Sequence, residues 1–194
     1  MHSQIKTVCS GLCLLSALFM LSCATAVPPT TFANPRFDFA FVERVAVLPF
    51  ENLSSDRQAG FRVSRLMLTE LLATGAVDVV EPGEVVAALE SVGVTRSRTP
   101  SADEVIALGQ ALEVQAVVIG TVAQSEVLRL GGAGRPVVTL DATMLETETG
   151  AIVWSATHTE KGSAVGARVL GTGGEPISET TRRCLEVLVD SLIQ

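Results

Sequence analysis

Ala116-Val117-Val118-Ile119 is an unbroken apolar run rich in β-branched residues, and it constrains the fold more than any other stretch of the chain. Such a run belongs at the centre of a sheet. The predicted strand around it spans Val114–Val122. Just before it, Ser101-Ala102-Asp103-Glu104 reads as a capping box, opening a helix that buries Val105, Leu108, Gly109 and Leu112. Just after it, Val137–Thr147 alternates, with Val138, Leu140, Ala142 and Met144 on one face. Thr149-Gly150 makes a tight turn, and Ile152, Trp154 and Ala156 continue a hairpin partner.

The flanking segments extend this pattern. Arg44–Phe50 is a short buried strand closed by Pro49, and Glu51–Asp56 turns the chain, with Ser54, Ser55 or Asp56 available as a helix cap. From Arg57 to Thr74, Gly60, Val63, Met67 and Leu71 form one stripe of a helix stopped by Gly75. Val77–Val80 is a further strand, and Pro82 opens a short helix with Val85, Leu89 and Val92 inward. A polar loop, Thr95–Pro100, carries Arg96 and Arg98. Gly162–Gly174 is a glycine-rich loop, after which Pro176 starts a helix with Ile177, Thr181, Cys184, Leu188 and Leu192 on one stripe. The order β-α-β-α-α-β-β-β-α describes an α/β fold. It is a single domain over residues 37–194, with one mixed β-sheet and helices packed on it.

Ahead of this domain, Gly11–Cys23 is an apolar run ending on a cysteine after a small residue, the pattern of a bacterial lipoprotein signal. Residues 1–22 are then the signal peptide, with His2 and Lys6 as a weak basic start, and Cys23 is the lipidated residue. Two other readings of the stretch stay open: cleavage at Ala24-Thr25-Ala26 by an ordinary signal peptidase, and an uncleaved span. Residues 23–36 form the lipidated cysteine and a short linker with Pro28-Pro29. Phe37, Phe39 and Phe41 alternate, which places three rings on one face of an extended arm, suited either to its own domain or to a partner subunit.

Charge and residue supply exclude several functions. The net charge is −7, and losing Lys6 with the signal leaves 13 basic against 21 acidic residues, or −8. An acidic body argues against nucleic acid as a partner and leaves membrane attachment to the lipid on Cys23. No disulfide is expected, because Cys9 and Cys13 fall in the signal and Cys184 is left alone on an apolar stripe. Outside the signal, His158 is the only histidine and Lys161 the only lysine. His158 reads as a partly exposed structural residue at a strand end. Gly131-Gly132-Ala133-Gly134 joins two strands, and Gly171-Thr172-Gly173-Gly174 precedes a helix but is followed by Glu175, so neither suits phosphate. Glu146 and Glu148 alternate with threonine as a solvated face. The expectation is a non-enzyme with no catalytic residues, no metal and no cofactor.

Three segments carry a resemblance. Arg44-Val45-Ala46-Val47-Leu48-Pro49-Phe50-Glu51-Asn52-Leu53, then Gly120-Thr121-Val122, then Glu148-Thr149-Gly150-Ala151-Ile152-Val153-Trp154-Ser155 resemble the envelope lipoproteins around CsgG, whose fold relatives include LpoB and the N-terminal domain of TolB. The resemblance implies a periplasmic α/β domain, lipid-anchored at the outer membrane, that works through contacts with envelope proteins and with itself. Ala24 after the cysteine fits that destination. Assembly or accessory work for an envelope complex is the leading expectation, and activation of an envelope enzyme in the manner of LpoB the alternative. A CsgG-type channel is disfavoured, since spanning strands need ~9–11 residues each and the loop from Arg129 to Arg135 is short.

Overall fold

The computed structural model describes residues 28–95, 99–130, 133–163 and 175–193. The signal, Cys23, Arg96, Arg98, Gly131, Gly132 and most of the Gly162–Gly174 loop lie outside them. The described chain forms strands β1 (Thr30–Ala33), β2 (Arg44–Val47), β3 (Glu51–Asn52), β4 (Asp78–Val79), β5 (Ala116–Leu130), β6 (Ala133–Glu146) and β7 (Ile152–Lys161). The helices are α1 (Ala59–Thr74), α2 (Pro82–Val92), α3 (Ala102–Leu112) and α4 (Ile177–Leu192), with a 3-10 turn at Phe39–Phe41. All strands join one sheet in the order β1-β7-β6-β5-β2-β4, with β3 on β5. It is mixed: β2 runs parallel to β4 and β5, while β5, β6, β7 and β1 pair antiparallel.

The central apolar run accounts for the layering. Ala116 and Val118 point to one face, into a core shared with Val63, Met67 and Leu71 of α1 and Cys184, Leu185 and Leu188 of α4. Val117 points to the other, into a core with Val85 and Leu89 of α2 and Val105 and Leu108 of α3. Strands buried on both faces read as continuous apolar runs. The helix ends follow their sequence signals. Ser101 and Glu104 form the reciprocal capping box, and Gly75 and Gly93 close α1 and α2 in the left-handed region.

Several expectations change. Thr30–Ala33, inside the segment read as a linker, is an edge strand paired with β7 from Thr30↔Thr157 to Ala33↔Trp154. The Phe37–Phe41 stretch is not extended: Asp38 caps the 3-10 turn by accepting the Ala40 N–H at 3.0 Å, so the three rings do not share a face. Helix α1 is capped at Gln58 without a side-chain cap, while Asp56 accepts the Gln58 N–H and pairs with Arg62. Strand β5 runs on to Leu130 and β6 starts at Ala133, so Arg129 and Arg135 stand on the strands and not in a loop. A bulge between Val122 and Gln124 shifts the register midway.

Glu146 corrects another reading. It is buried, not part of a solvated face, and its carboxylate accepts the N–H of Glu148 at 2.7 Å, the N–H of Thr149 at 3.0 Å and the Thr149 hydroxyl. Burial alone would raise its pKa, but these hydrogen bonds outweigh it and hold the carboxyl below the ordinary glutamate value. A lowered folded-state pKa means stability present above the unfolded-state value and lost as the pH falls through the folded one. Glu146→Ala is therefore expected to cost about 2 kcal/mol at pH 7. The difference from wild type should shrink towards zero below the carboxylate range in urea titrations across pH. A difference that does not vary with pH would remove the carboxylate from the account.

Candidate functional site

The helices leave part of the molecule bare. Helices α2 and α3 cover the β4-β2-β5 side of one sheet face, and the β6-β7 side of that face carries hydroxyls. Thr139 lies 3.0 Å from Thr159, Thr143 lies 2.9 Å from Ser155, and Thr157 donates to Asp141. At the boundary between covered and bare sheet is a cavity of about 270 Å³, lined by Leu48, Pro49, Glu51, Ile119, Thr121 and Asp141 among others. Among the described residues its charged groups are the carboxylates of Glu51 and Asp141, with no histidine, cysteine or lysine beside them. A second, more apolar pocket of about 400 Å³ sits where Phe39, Val42, Leu71, Val77, Met144 and Leu192 meet. Phe41, Leu72 and Ile193 lie close to it in sequence and are exposed by half or more.

The residues singled out from sequence are scattered over this body. Phe37 and Phe39 contact edge to face at 5.0 Å and pack against their own core, while Phe41 is 63% exposed. Cys23 lies outside the described residues. His158 is buried, not partly exposed, with Nε2 3.3 Å from Glu160 Oε2. Glu160 also accepts from Arg183 Nε at 3.2 Å, and Arg183 reaches Glu175 at 2.6 Å. Glu175 in turn accepts the Ser163 N–H at 3.0 Å, so the two ends of the glycine-rich 164–174 segment are tied together. Burial would raise the pKa of Glu175, but the Ser163 N–H, Arg183 and Thr180 hold it below the usual value.

Cys184 has the environment of a core residue. Its thiol donates towards the His158 carbonyl at 3.5 Å, and burial, helped by the charge of Glu160, pushes its pKa up to about 12. Such a thiol stays protonated and unreactive at neutral pH. Among the described residues, no cluster of three or more His, Cys, Asp or Glu side chains could hold a metal ion, and no helix is long and apolar enough to cross a membrane.

One feature escaped the sequence reading: the far end of the β5–β6 hairpin. Among the described residues, no strand pairs with the outer edge of β5 beyond Asn52↔Val122, and beyond Lys161↔Val137 β7 has ended. Four pairs, from Val127↔Pro136 to Leu130↔Ala133, stand past the sheet as a two-stranded ribbon. Val127 and Leu128 are 50% and 38% exposed there. The available signal was Gly131-Gly132 flanked by Leu128, Leu130 and Val137, a two-residue hairpin pattern. Four residues per strand fall short of the ~9–11 that a spanning strand needs.

No family model matches the sequence, and no curated protein matches it. Solved structures do match in fold. PelC from Paraburkholderia phytofirmans, solved as a dodecamer, is 18% identical with a TM-score of 0.59, over 84% of this chain and 96% of that one. Lipoprotein GNA1162 from Neisseria meningitidis is 16% identical with a TM-score of 0.54, over 78% of this chain and 98% of that one. Protein CT253 from Chlamydia trachomatis is 12% identical with a TM-score of 0.54, over 78% and 95%. At these identities the likeness establishes the architecture alone. This chain has the single-domain mixed-sheet α/β fold seen in PelC and in lipoprotein GNA1162.

Proposed function

We propose that the chain is an outer-membrane lipoprotein, held through Cys23, whose α/β domain is a non-enzymatic assembly or accessory factor of an envelope complex. The observation that carries this reading is the nearly end-to-end likeness in fold to PelC, solved as a dodecamer. The lipoprotein signal ending at Cys23 and the likeness to lipoprotein GNA1162 support the anchor. The chemistry of the surface agrees: bare hydroxyls, carboxylates already engaged in hydrogen bonds, and a protonated core thiol suit contact better than turnover. Phe41 and the apolar pocket beside the 3-10 turn are the contact region this reading favours, because Phe37 and Phe39 are committed to their own core.

Labelled fatty acid should enter the wild-type protein in cells and be absent from Cys23→Ala. Label in the mutant, or none in the wild type, would refute the anchor. Light scattering of the purified mature domain should give a mass several times that of one chain. A monomer at all concentrations would remove self-assembly. Crosslinking in cells that returned a cell-wall synthase or hydrolase as main partner would favour enzyme activation instead.

A further inference from the structure

We infer that the exposed end of the β5–β6 ribbon rests on the phosphate headgroups of the same membrane that holds Cys23. The inference depends on Cys23 being the lipid anchor, and the rest follows from strand direction and chain length. Strand β1 pairs with β7 at Thr30↔Thr157, and Thr157 pairs with Asp141 of β6. Since Ala33 likewise aligns through Trp154 with Met144, β1 points the same way as β6. The chain upstream of Thr30 therefore leaves the sheet towards the end where the ribbon projects.

The lengths agree. Leu128 pairs with Arg135, six residues beyond Asp141 along β6, which puts the ribbon end about 20 Å past the level of Thr30 at ~3.3 Å per residue. Seven peptide units separate Cys23 from Thr30, so the tether spans at most ~25 Å even fully extended. Pro28-Pro29 favours a stiff, extended path. Even at full stretch, with the strands upright, the ribbon end stands within about 5 Å of the surface that holds Cys23. Any slack in the tether brings the two together.

The ribbon's chemistry suits that surface. Arg129 and Arg135 are exposed on a chain of net negative charge, and Lys161 lies at the adjoining end of β7. Acidic side chains at Glu43, Asp78 and Glu113 lie at the opposite end of the strands, and the carboxylates at the ribbon's base, Glu126 and Glu160, are engaged by Gln124 and by His158 and Arg183. Cations meet lipid phosphates at one end while the acidic end is held away from them. Val127 and Leu128 add apolar surface for the headgroup boundary. A two-stranded ribbon is marginal in water on its own, and a covering surface offsets that.

The test uses the acylated full-length protein in vesicles of phosphatidylethanolamine and phosphatidylglycerol whose acyl chains are brominated near the glycerol. Trp154 is the one native tryptophan and is buried, so it supplies a constant background. Leu128→Trp and, in parallel, Val127→Trp should lose about half of their added emission, as expected for side chains set roughly 5–10 Å into the interface. Ile152→Trp, exposed at the opposite end of β7, should be unquenched. Adding Arg129→Glu and Arg135→Glu to Leu128→Trp should abolish the quenching. Unquenched ribbon tryptophans in protein shown by mass to carry acyl chains would overturn the ribbon contact and leave the anchor intact. Protein recovered from cells without acyl chains would overturn the anchor, and the ribbon contact with it.

Discussion

Trp154→Ala is expected to lower the unfolding free energy by about 3–5 kcal/mol, as do aromatic truncations in well-packed cores. Trp154 is only 1% exposed at the middle of the β1-β7-β6 pairing, opposite Ala33 on one side and Met144 on the other. Its ring belongs to the core that α1 and α4 close over. Domains are stable by only ~5–15 kcal/mol, so this loss is about a fifth or more of the total. Melting should fall by about 10 °C for a domain of this size. The indole N–H is buried without an acceptor among the described residues. An orphaned donor costs about 1–3 kcal/mol, so Trp154→Phe removes a penalty together with some packing and should cost about 1 kcal/mol. Urea titrations must follow circular dichroism, since Trp154 is the only tryptophan. A Trp154→Ala cost near that of the phenylalanine variant would mean that the ring does not fill the core as described.

Trp154 also marks what could be seen in the sequence. The strands and helices were legible wherever one residue pattern sufficed: the continuous run at Ala116–Ile119, the stripe from Gly60 to Leu71, the capping box at Ser101 and Glu104. Errors arose where a distant partner decides the backbone. Past Val122 the residues are Ala123-Gln124-Ser125-Glu126, with little strand propensity of their own, and β6 keeps them extended. The bulge at Val122/Gln124 also breaks the alternation that would have carried the strand forward. Thr30–Ala33 is a strand only because β7 offers it an edge. At Phe37–Phe41 a local bond from Asp38 overrides the alternation of the rings. Glu146 looked solvated because its partners are backbone N–H groups of the following turn, which a residue pattern does not display. The candidate site divided in the same way. Cys23 is a local motif, whereas the ribbon end emerges only when β1, β7 and β6 are placed side by side.

Gly120→Ala should be the most damaging single-methyl change in the sheet. Gly120 pairs with Ala142 at the centre of β5, where a Cβ would come 2.1 Å from Cε1 and 2.5 Å from Cζ of Phe50, and 2.6 Å from the Asp141 carbonyl oxygen. The ring could turn away, but Phe50 is itself buried, with its N–H donated to Ser64 Oγ at 2.9 Å. The carbonyl belongs to the neighbouring strand, and moving it means parting β5 from β6. Overpacking typically costs 1–3 kcal/mol, and a simultaneous clash with the buried Phe50 ring and the Asp141 backbone sets this one at about 3 kcal/mol or above. The two obstacles separate in a double-mutant cycle. In a Phe50→Leu background the ring contact is gone while the Asp141 oxygen remains, so Gly120→Ala should cost about 1 kcal/mol less there, and not zero. Because the site is remote from Cys23, acyl incorporation in cells should persist in whatever Gly120→Ala protein accumulates. A cost below about 0.5 kcal/mol, the level of an ordinary surface change, would contradict the close approach of Phe50 to β5. The substitution should also loosen the platform from which the β5–β6 ribbon projects, since β5 continues from Gly120 through the bulge at Val122/Gln124 to Leu130.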